Sequence, residues 1–445
     1  MIQPSRNNIK NIPAKTTGDF RKERLSQGSR VGLVNLGCAR NLVDSQALLG
    51  TLKRKGHKIV EAENADIAIV NTCSFIEDAR KESIDTILDL LELKKQGKLK
   101  KVIVAGCLAQ RYGAKLAEEL KEVDAFIGTP TLQKDGLTDQ VSLTPEHFAY
   151  VKICESCFNH CSFCAIPKIK GKFSSRTIES VLSEVTRLDS QGVKEINIIG
   201  QDITAYGMDI YREKSLARLL KEMVKVTKNV QWIRLLYAFP AHMTDELIEV
   251  MATEEKICKY IDMPLQHISD NLLLSMNRSI TTRGTHELIG KIRQRMPQGS
   301  LRTTFIVGMP GETEDNFQEL TQFVKDSQFE KMGVFVYSKE EGTEAFAMPG
   351  HVAETVKKRR MNFLMKEQQK ISHLAQEKFI GRTLKVLIEE QQEGSAKVFL
   401  GRSEYDAPDV DGIVYVNSLR KLKTGDFVSV KITDAYEYDL EGNAG

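Results

Sequence analysis

The sequence is poor in the features that mark secreted, membrane-embedded or nucleic-acid-coating proteins. Only eight of its 445 residues are cysteine, too few for a disulfide scaffold. No stretch approaches the ~18 uninterrupted apolar residues of a membrane span, and no apolar N-terminal run has the character of a signal peptide. The net charge is only +3, which excludes a chain held to nucleic acid by bulk electrostatics. What is present is ordinary for a globular protein: 41% hydrophobic and 28% charged residues. This length admits two or three domains and a core that needs no covalent staples. The expected setting is a reducing cytoplasm, with no membrane partner. There, clustered cysteines signal metal or redox chemistry more often than cross-links.

The pattern along the chain is α/β, then β. Residues 1–28 are polar without periodicity and read as a flexible arm. From Val31 to about Thr129, short apolar runs (Val31–Leu36, Asp66–Val70, Lys101–Ala105, Ala125–Ile127) alternate with helical segments such as Leu42–Lys55 and Ile76–Lys95. Such alternation predicts a doubly wound parallel sheet within residues 29–140, and residues 130–147 read as a linker. A second alternation over 141–376 has six strands: Tyr150–Ile153, Glu195–Ile199, Trp232–Leu236, Tyr260–Met263, Arg302–Val307 and Gly333–Tyr337. It predicts a partial (β/α)6 barrel, with its site at the C-terminal strand ends. A long charged helix over 352–378 follows. Short alternating strands then predict a small antiparallel β-barrel over 377–443.

Cys157, Cys161 and Cys164, spaced C-x3-C-x2-C, lie directly after the first strand of the six. Three thiolates on one tight loop can hold three irons of a 4Fe–4S cluster and leave the fourth open to an external ligand. Adding Cys154 gives C-x2-C-x3-C-x2-C, a four-cysteine zinc alternative, but three residues is a short separation for two knuckles to fold onto one ion. A second set is scattered. Cys38, Cys73 and Cys107 each follow the end of an N-terminal strand, where a doubly wound sheet gathers its ligands. Their convergence there predicts a second cluster. Cys258 has no such partner and reads as core.

These residues resemble the radical S-adenosylmethionine superfamily, through C-x3-C-x2-C with Phe163 before the last cysteine. Cys38, Cys73 and Cys107 ahead of it and the small barrel, similar to a TRAM module, behind it resemble the methylthiotransferases, over about residues 30–440. The segments Asn35-Leu36-Gly37-Cys38-Ala39-Arg40-Asn41 and Gly200-Gln201-Asp202-Ile203-Thr204-Ala205-Tyr206-Gly207 look like the branch that methylthiolates the β-carbon of an aspartate in small-subunit ribosomal protein twelve. The resemblance implies two 4Fe–4S clusters and S-adenosylmethionine. Cys157, Cys161 and Cys164 would hold the cluster whose open iron the cofactor chelates, and reductive cleavage would yield a 5′-deoxyadenosyl radical. The cluster on Cys38, Cys73 and Cys107 would supply sulfur. An electron donor of flavodoxin or ferredoxin type is implied, and a substrate met free or on the ribosome. The resemblance assigns no side chain as an acid, base or nucleophile.

Cofactor contacts are expected from Gln201 and Asp202, polar groups after the second barrel strand, although Asp202 could instead cap a helix, and from Phe163, which could pack on adenine or shield the cluster. Ile306, Val307 and Gly308, ending the fifth strand, would let backbone approach adenine, unless the glycine only serves a turn. Arg234 would pair with the cofactor carboxylate. His267 could reach the cavity, and Lys168, Lys170, Lys172 and Arg176 could meet an anion or form a solvated face. Two rivals remain: a methylthiotransferase acting on tRNA adenosine at C2, and a non-catalytic iron–sulfur or zinc scaffold that docks on ribosomes. The terminal segment bears on the first. Residues 376–445 carry 13 acidic and nine basic side chains, a balance suited to a basic protein rather than to RNA.

Overall fold

The computed structural model describes residues 28–129 and 141–445. The arm expected over 1–28, except Gly28, and most of the linker lie outside those residues. The chain divides into two compact units, Met1–Thr131 and Leu132–Gly445. Among the described residues no helix is long and apolar enough to cross a membrane.

The first unit runs β1 (Arg30–Asn35), α1 (Ala39–Arg54), β2 (Lys58–Ile59), β3 (Ile67–Thr72), α2 (Glu77–Lys95), β4 (Lys101–Gly106), α3 (Cys107–Glu119) and β5 (Ala125–Ile127). Its sheet has the order β2-β1-β3-β4-β5, all parallel. β3 is buried along its whole length, as a sheet covered by helices on both faces requires. The two-residue strand β2 escapes the sequence pattern because it is too short to show a period. It sets the topology nonetheless: the chain first steps outward from β1 to β2, then returns to β3. The strand order therefore reverses between β1 and β3, and ligands bind at such a reversal.

The second unit begins with β6 (Phe148–Lys152), β7 (Cys154–Glu155), α4 (Ile166–Lys170), β8 (Ser174–Ser175), α5 (Ile178–Ser190) and β9 (Glu195–Ile199). It continues with α6 (Leu216–Val226), β10 (Trp232–Leu235), α7 (Asp245–Thr253), β11 (Ile257–Asp262), α8 (Asp270–Ser275) and α9 (Thr282–Arg295). β12 (Ser300–Val307), α10 (Glu314–Ser327), β13 (Lys331–Val336) and α11 (Glu354–Glu377) complete it. The six long strands pair in parallel and in sequence, β6-β9-β10-β11-β12-β13, an open partial barrel. Threonines stop the helices from unravelling at their starts. The hydroxyls of Thr177, Thr244, Thr281 and Thr313 each accept from an amide three residues on, and Thr313 and Asn316 complete a reciprocal capping box.

β14 (Thr383–Gln391), β15 (Val398–Ser403), β16 (Val414–Asn417), β17 (Phe427–Ala435) and β18 (Leu440–Ala444) close a barrel in the order β14-β15-β16-β18-β17. It differs from the expected antiparallel barrel in one seam, since β16 and β18 run parallel. β18 reads Leu-Glu-Gly-Asn-Ala and lacks strand-forming residues. It forms because it is the piece that closes the barrel: a Cβ on Gly442 would stand 2.5 Å from the Lys431 carbonyl oxygen.

The acidic excess of this barrel is taken up by bonds within the chain. Five of its carboxylates bond to the six-stranded unit. Glu389 pairs with His147 (3.3 Å), Asp406 with Lys331 (2.6 Å) and Asp411 with Tyr260 (2.7 Å). Asp409 accepts from Tyr150 (3.0 Å) and Glu404 from the Lys259 amide (3.2 Å). In return, Arg402 reaches Glu195 at 2.6 Å. Without those five acids and Arg402, residues 376–445 carry eight charges of each sign. The surplus that pointed away from RNA is consumed by docking.

Candidate functional site

In the first unit, Cys38, Cys73 and Cys107 follow β1, β3 and β4, three adjacent strands spanning the reversal. Asparagines tie the loops together. Asn41 Nδ2 donates to the carbonyls of Leu36 (3.0 Å) and Thr72 (3.1 Å), bridging the ends of β1 and β3. Its Oδ1 lies 3.8 Å from Cys107 Sγ. Asn71 Nδ2 donates to the Asn41 carbonyl and to Ser45 Oγ, both at 2.8 Å. Ser83 Oγ grips the Cys73 backbone, accepting from its amide and donating to its carbonyl. Gly106 takes φ +93° before Cys107, and a Cβ there would stand 2.2 Å from Asn71 Oδ1. Burial raises the Cys38 thiol, but the Arg40 guanidinium and the Asn41 and Arg40 amides outweigh it and leave it below the ordinary thiol value. Burial leaves Cys73 above it.

In the second unit, Cys157, Cys161 and Cys164 sit on the loop between β7 and α4, beyond β6. The loop is pinned from both sides. The Ser162 amide donates to the Met276 carbonyl (3.1 Å), and the Ala345 amide to the Ser162 carbonyl (2.9 Å). Cys157 Sγ accepts from Asn159 through its amide (3.4 Å) and Nδ2 (3.6 Å). Asn159 Nδ2 also reaches Asp202 Oδ2 (2.8 Å), which His242 Nδ1 meets at 2.7 Å. Burial and the Asp202 carboxylate push the Cys157 thiol up to about 11. Arg278 Nη1 lies 3.8 Å from Cys161 Sγ.

Cys154 belongs elsewhere. It is fully buried in the main apolar core and its thiol faces the Asp202 carbonyl (3.6 Å), so the four-cysteine zinc arrangement lacks its fourth ligand. Cys258 is likewise buried. Among the described residues, no three His, Cys, Asp or Glu side chains close around a single ion.

The remaining expected residues divide. Phe163 and Ile306 pack against one small apolar cluster of Leu272, Met276, Met309, Tyr337 and Ala345. Gln201 Oε1 is buried without a partner among the described residues. Asp202 is spent on structure: Oδ1 caps the turn at 203–205 through the Thr204 and Ala205 amides, and Oδ2 holds Asn159 and His242. Gly308 is required by packing, because a Cβ would meet Lys357 Cγ at 2.2 Å, and its amide is taken by Glu312. Arg234 is not brought to this end. It bonds Glu195 at the start of β9 (2.7 Å) and the Glu404 carbonyl of the terminal barrel (2.7 Å). Strand position alone did not reveal which way its long side chain runs. The basic run divides, with Lys168 and Lys172 exposed. Lys170 pairs with buried Glu155, and Arg176 with buried Glu184.

Three residues escaped the sequence reading. Asn159 lies inside the cysteine motif and could have been noticed there. His242 and Arg278 come from loops without any local signature. His267 is fully buried, and its Nδ1 accepts from the Ser269 amide (3.1 Å), so the neutral ring's proton sits on Nε2. Among the described residues Nε2 has no partner, nor do Gln201 Oε1, Arg278 Nε and Tyr337 OH. Buried polar atoms rarely go unmatched. Four of them around the C-terminal ends of this sheet fit a polar ligand such as S-adenosylmethionine, and the three thiols nearby fit an iron–sulfur cluster.

Comparisons with known proteins agree with this architecture. Residues 30–128 match the uncharacterized protein family UPF0004, 151–324 the radical SAM superfamily and 380–444 the TRAM domain. The chain is 45% identical to the ribosomal protein uS12 methylthiotransferase RimO of Clostridioides difficile, over 93% of this chain and 98% of that one. It is 47% identical to the RimO of Caldanaerobacter subterraneus over 93% and 99%. Among solved structures, the radical S-adenosylmethionine methyltransferase TsrM of Kitasatospora setae, with tryptophan and a cofactor analogue bound, shares the fold. Its TM-score is 0.51 at 16% identity, over 69% of this chain and 73% of that one.

Proposed function

The chain belongs to the ribosomal protein uS12 methylthiotransferase family, and from that premise we propose that it attaches a methylthio group to an aspartate β-carbon of ribosomal protein uS12. The observation that carries the reading is the pairing of two three-cysteine sets, each at the C-terminal ends of parallel strands in its own α/β unit. When bound, the two 4Fe–4S clusters and S-adenosylmethionine supply the radical that opens an unactivated C–H bond and the sulfur and methyl group that replace the hydrogen.

The chain's own residues hold, orient and shield. Cys157, Cys161 and Cys164 provide three thiolates for one cluster, and Cys38, Cys73 and Cys107 for the other. Asn41 and Asn71 keep the second set of loops in register. Gln201 Oε1 offers an acceptor to the cofactor's ammonium, and His267 Nε2 a donor. Phe163 and Ile306 form an apolar wall that excludes water from adenine. Asp202 acts one step back, holding Asn159 and His242. The functional segments are 29–140, 141–376 and 377–443. We take the reductant to be a small flavodoxin- or ferredoxin-type protein, and the place of action to be the cytoplasm, where ribosomes lie.

The test is mass spectrometry of uS12 and of tRNA from cells lacking this protein. Loss of a methylthio group from uS12 alone is the expected result. Loss from tRNA adenosine instead would establish the rival substrate. Anaerobic reconstitution should give about eight irons per chain. Stoichiometric zinc without cofactor cleavage would leave only a scaffold.

A further inference from the structure

Five arginines of the described chain are buried: Arg176, Arg234, Arg278, Arg360 and Arg402. Four of them pair with carboxylates, namely Glu184, Glu195, Glu312, and Glu195 with Glu389. Arg278 does not. It is 8% exposed, and among the described residues no carboxylate lies within ion-pair distance. Its Nη2 donates to the Pro264 carbonyl (2.6 Å), its guanidinium lies 4.0 Å from the centre of the Phe239 ring, and its Nη1 lies 3.8 Å from Cys161 Sγ. Nε is buried with no partner. An unpaired buried cation is strongly unfavourable. Its counter-charge must therefore come from outside the polypeptide's own carboxylates, and the group it touches is a cluster thiol.

Asn159 treats Cys157 in the same way. Its Nδ2 is held between Cys157 Sγ and Asp202 Oδ2, and Asp202 is itself fixed by His242. Two donors thus address two of the three sulfurs, one from the cysteine loop and one from beyond α8. Hydrogen bonds to cluster sulfurs and nearby net charge are among the determinants of a cluster's reduction potential. A donor or cation stabilises the more negative, reduced state.

We propose that Arg278 is the built-in counter-charge of the radical-generating cluster and, with Asn159, holds it at a less negative potential than the three cysteines alone would. Both are positioning and tuning residues. The inference rests on the proposed function, because it requires a cluster on Cys157, Cys161 and Cys164.

The experiment is an EPR-monitored redox titration of the reconstituted full chain without S-adenosylmethionine. Wild type is compared with Arg278→Met, Arg278→Lys and Asn159→Ala at full iron content. The cluster on Cys38, Cys73 and Cys107 serves as the internal reference. Arg278→Met should lower the ratio of reduced to oxidised radical-site cluster at fixed poise at least tenfold, which is ~59 mV for one electron. Arg278→Lys keeps the charge and should shift it less. Asn159→Ala should shift it in the same direction, and the reference cluster should stay in place. An unchanged potential in Arg278→Met overturns the proposal, even if cofactor binding weakens, since Arg278 would then be a ligand contact only. Equal movement of both clusters also overturns it. If Arg278→Met fails to hold the radical-site cluster, the other two variants decide, and no shift in either is fatal. A wild-type chain that holds no cluster at this site would instead sink the functional reading itself.

Discussion

Single side chains carry most of the chemistry. Cys157→Ala would remove one of the three thiolates proposed for the radical-generating cluster. It should abolish reductive S-adenosylmethionine cleavage, measured as 5′-deoxyadenosine. Cys107→Ala should leave that cleavage measurable, halve the iron content and stop methylthio transfer. A full iron count in this variant would show that the second set is misassigned. Gly106→Ala should resemble Cys107→Ala without touching sulfur. The new Cβ would collide with Asn71 Oδ1 and the Thr72 carbonyl, at a φ that only glycine adopts readily. His267 adds a pH dependence. Burial depresses its folded pKa to about 3, below the ordinary ~6.5, so the unfolded chain takes up the proton first. Stability should therefore fall as pH drops below about 6.5, by about 2 kcal/mol between pH 7 and 5. Denaturant titrations at the two pH values should show this loss reduced in His267→Gln.

At the scale of elements, the decisive contacts lie between the six-stranded sheet and the terminal barrel. Glu195 opens β9, is fully buried, and holds both Arg234 and Arg402. Glu195→Gln leaves two buried cations underpaired. It should cost about 3–5 kcal/mol, read as a lower denaturation midpoint. Replacing exposed Glu393 should cost almost nothing by the same measure. Strands with a clear apolar run were legible in the sequence, as were helices with periodic faces. β2 and β18 were not. One has two residues, and the other is built from Glu, Gly and Asn. Both are strands because neighbouring edges recruit them.

Across the whole molecule, two α/β units each carry three cysteines at strand C-termini, and a closed barrel caps the second unit's opposite end. The barrel's composition pointed to a protein substrate, as kinship does, but is no independent guide to it, because five of its acids bond to side chains and backbone of its own chain. Its remaining charge is balanced and argues for neither RNA nor protein. The uS12 assignment therefore rests on kinship, and on the mass-spectrometric test.

The sequence by itself determined the α/β alternation and the trailing barrel, and singled out the six cysteines proposed to hold the clusters. Those depend on the short spacing of one cysteine set, on the place of the other just past successive strands, and on periodic burial, all of which a linear chain displays directly. Only the tertiary structure decided that Arg234 faces the docked barrel, that Asp202 serves Asn159 and His242, and that Arg278 stands uncompensated beside Cys161. The direction of a long side chain and the identity of its counter-charge depend on elements far apart in the chain, and no local pattern encodes them.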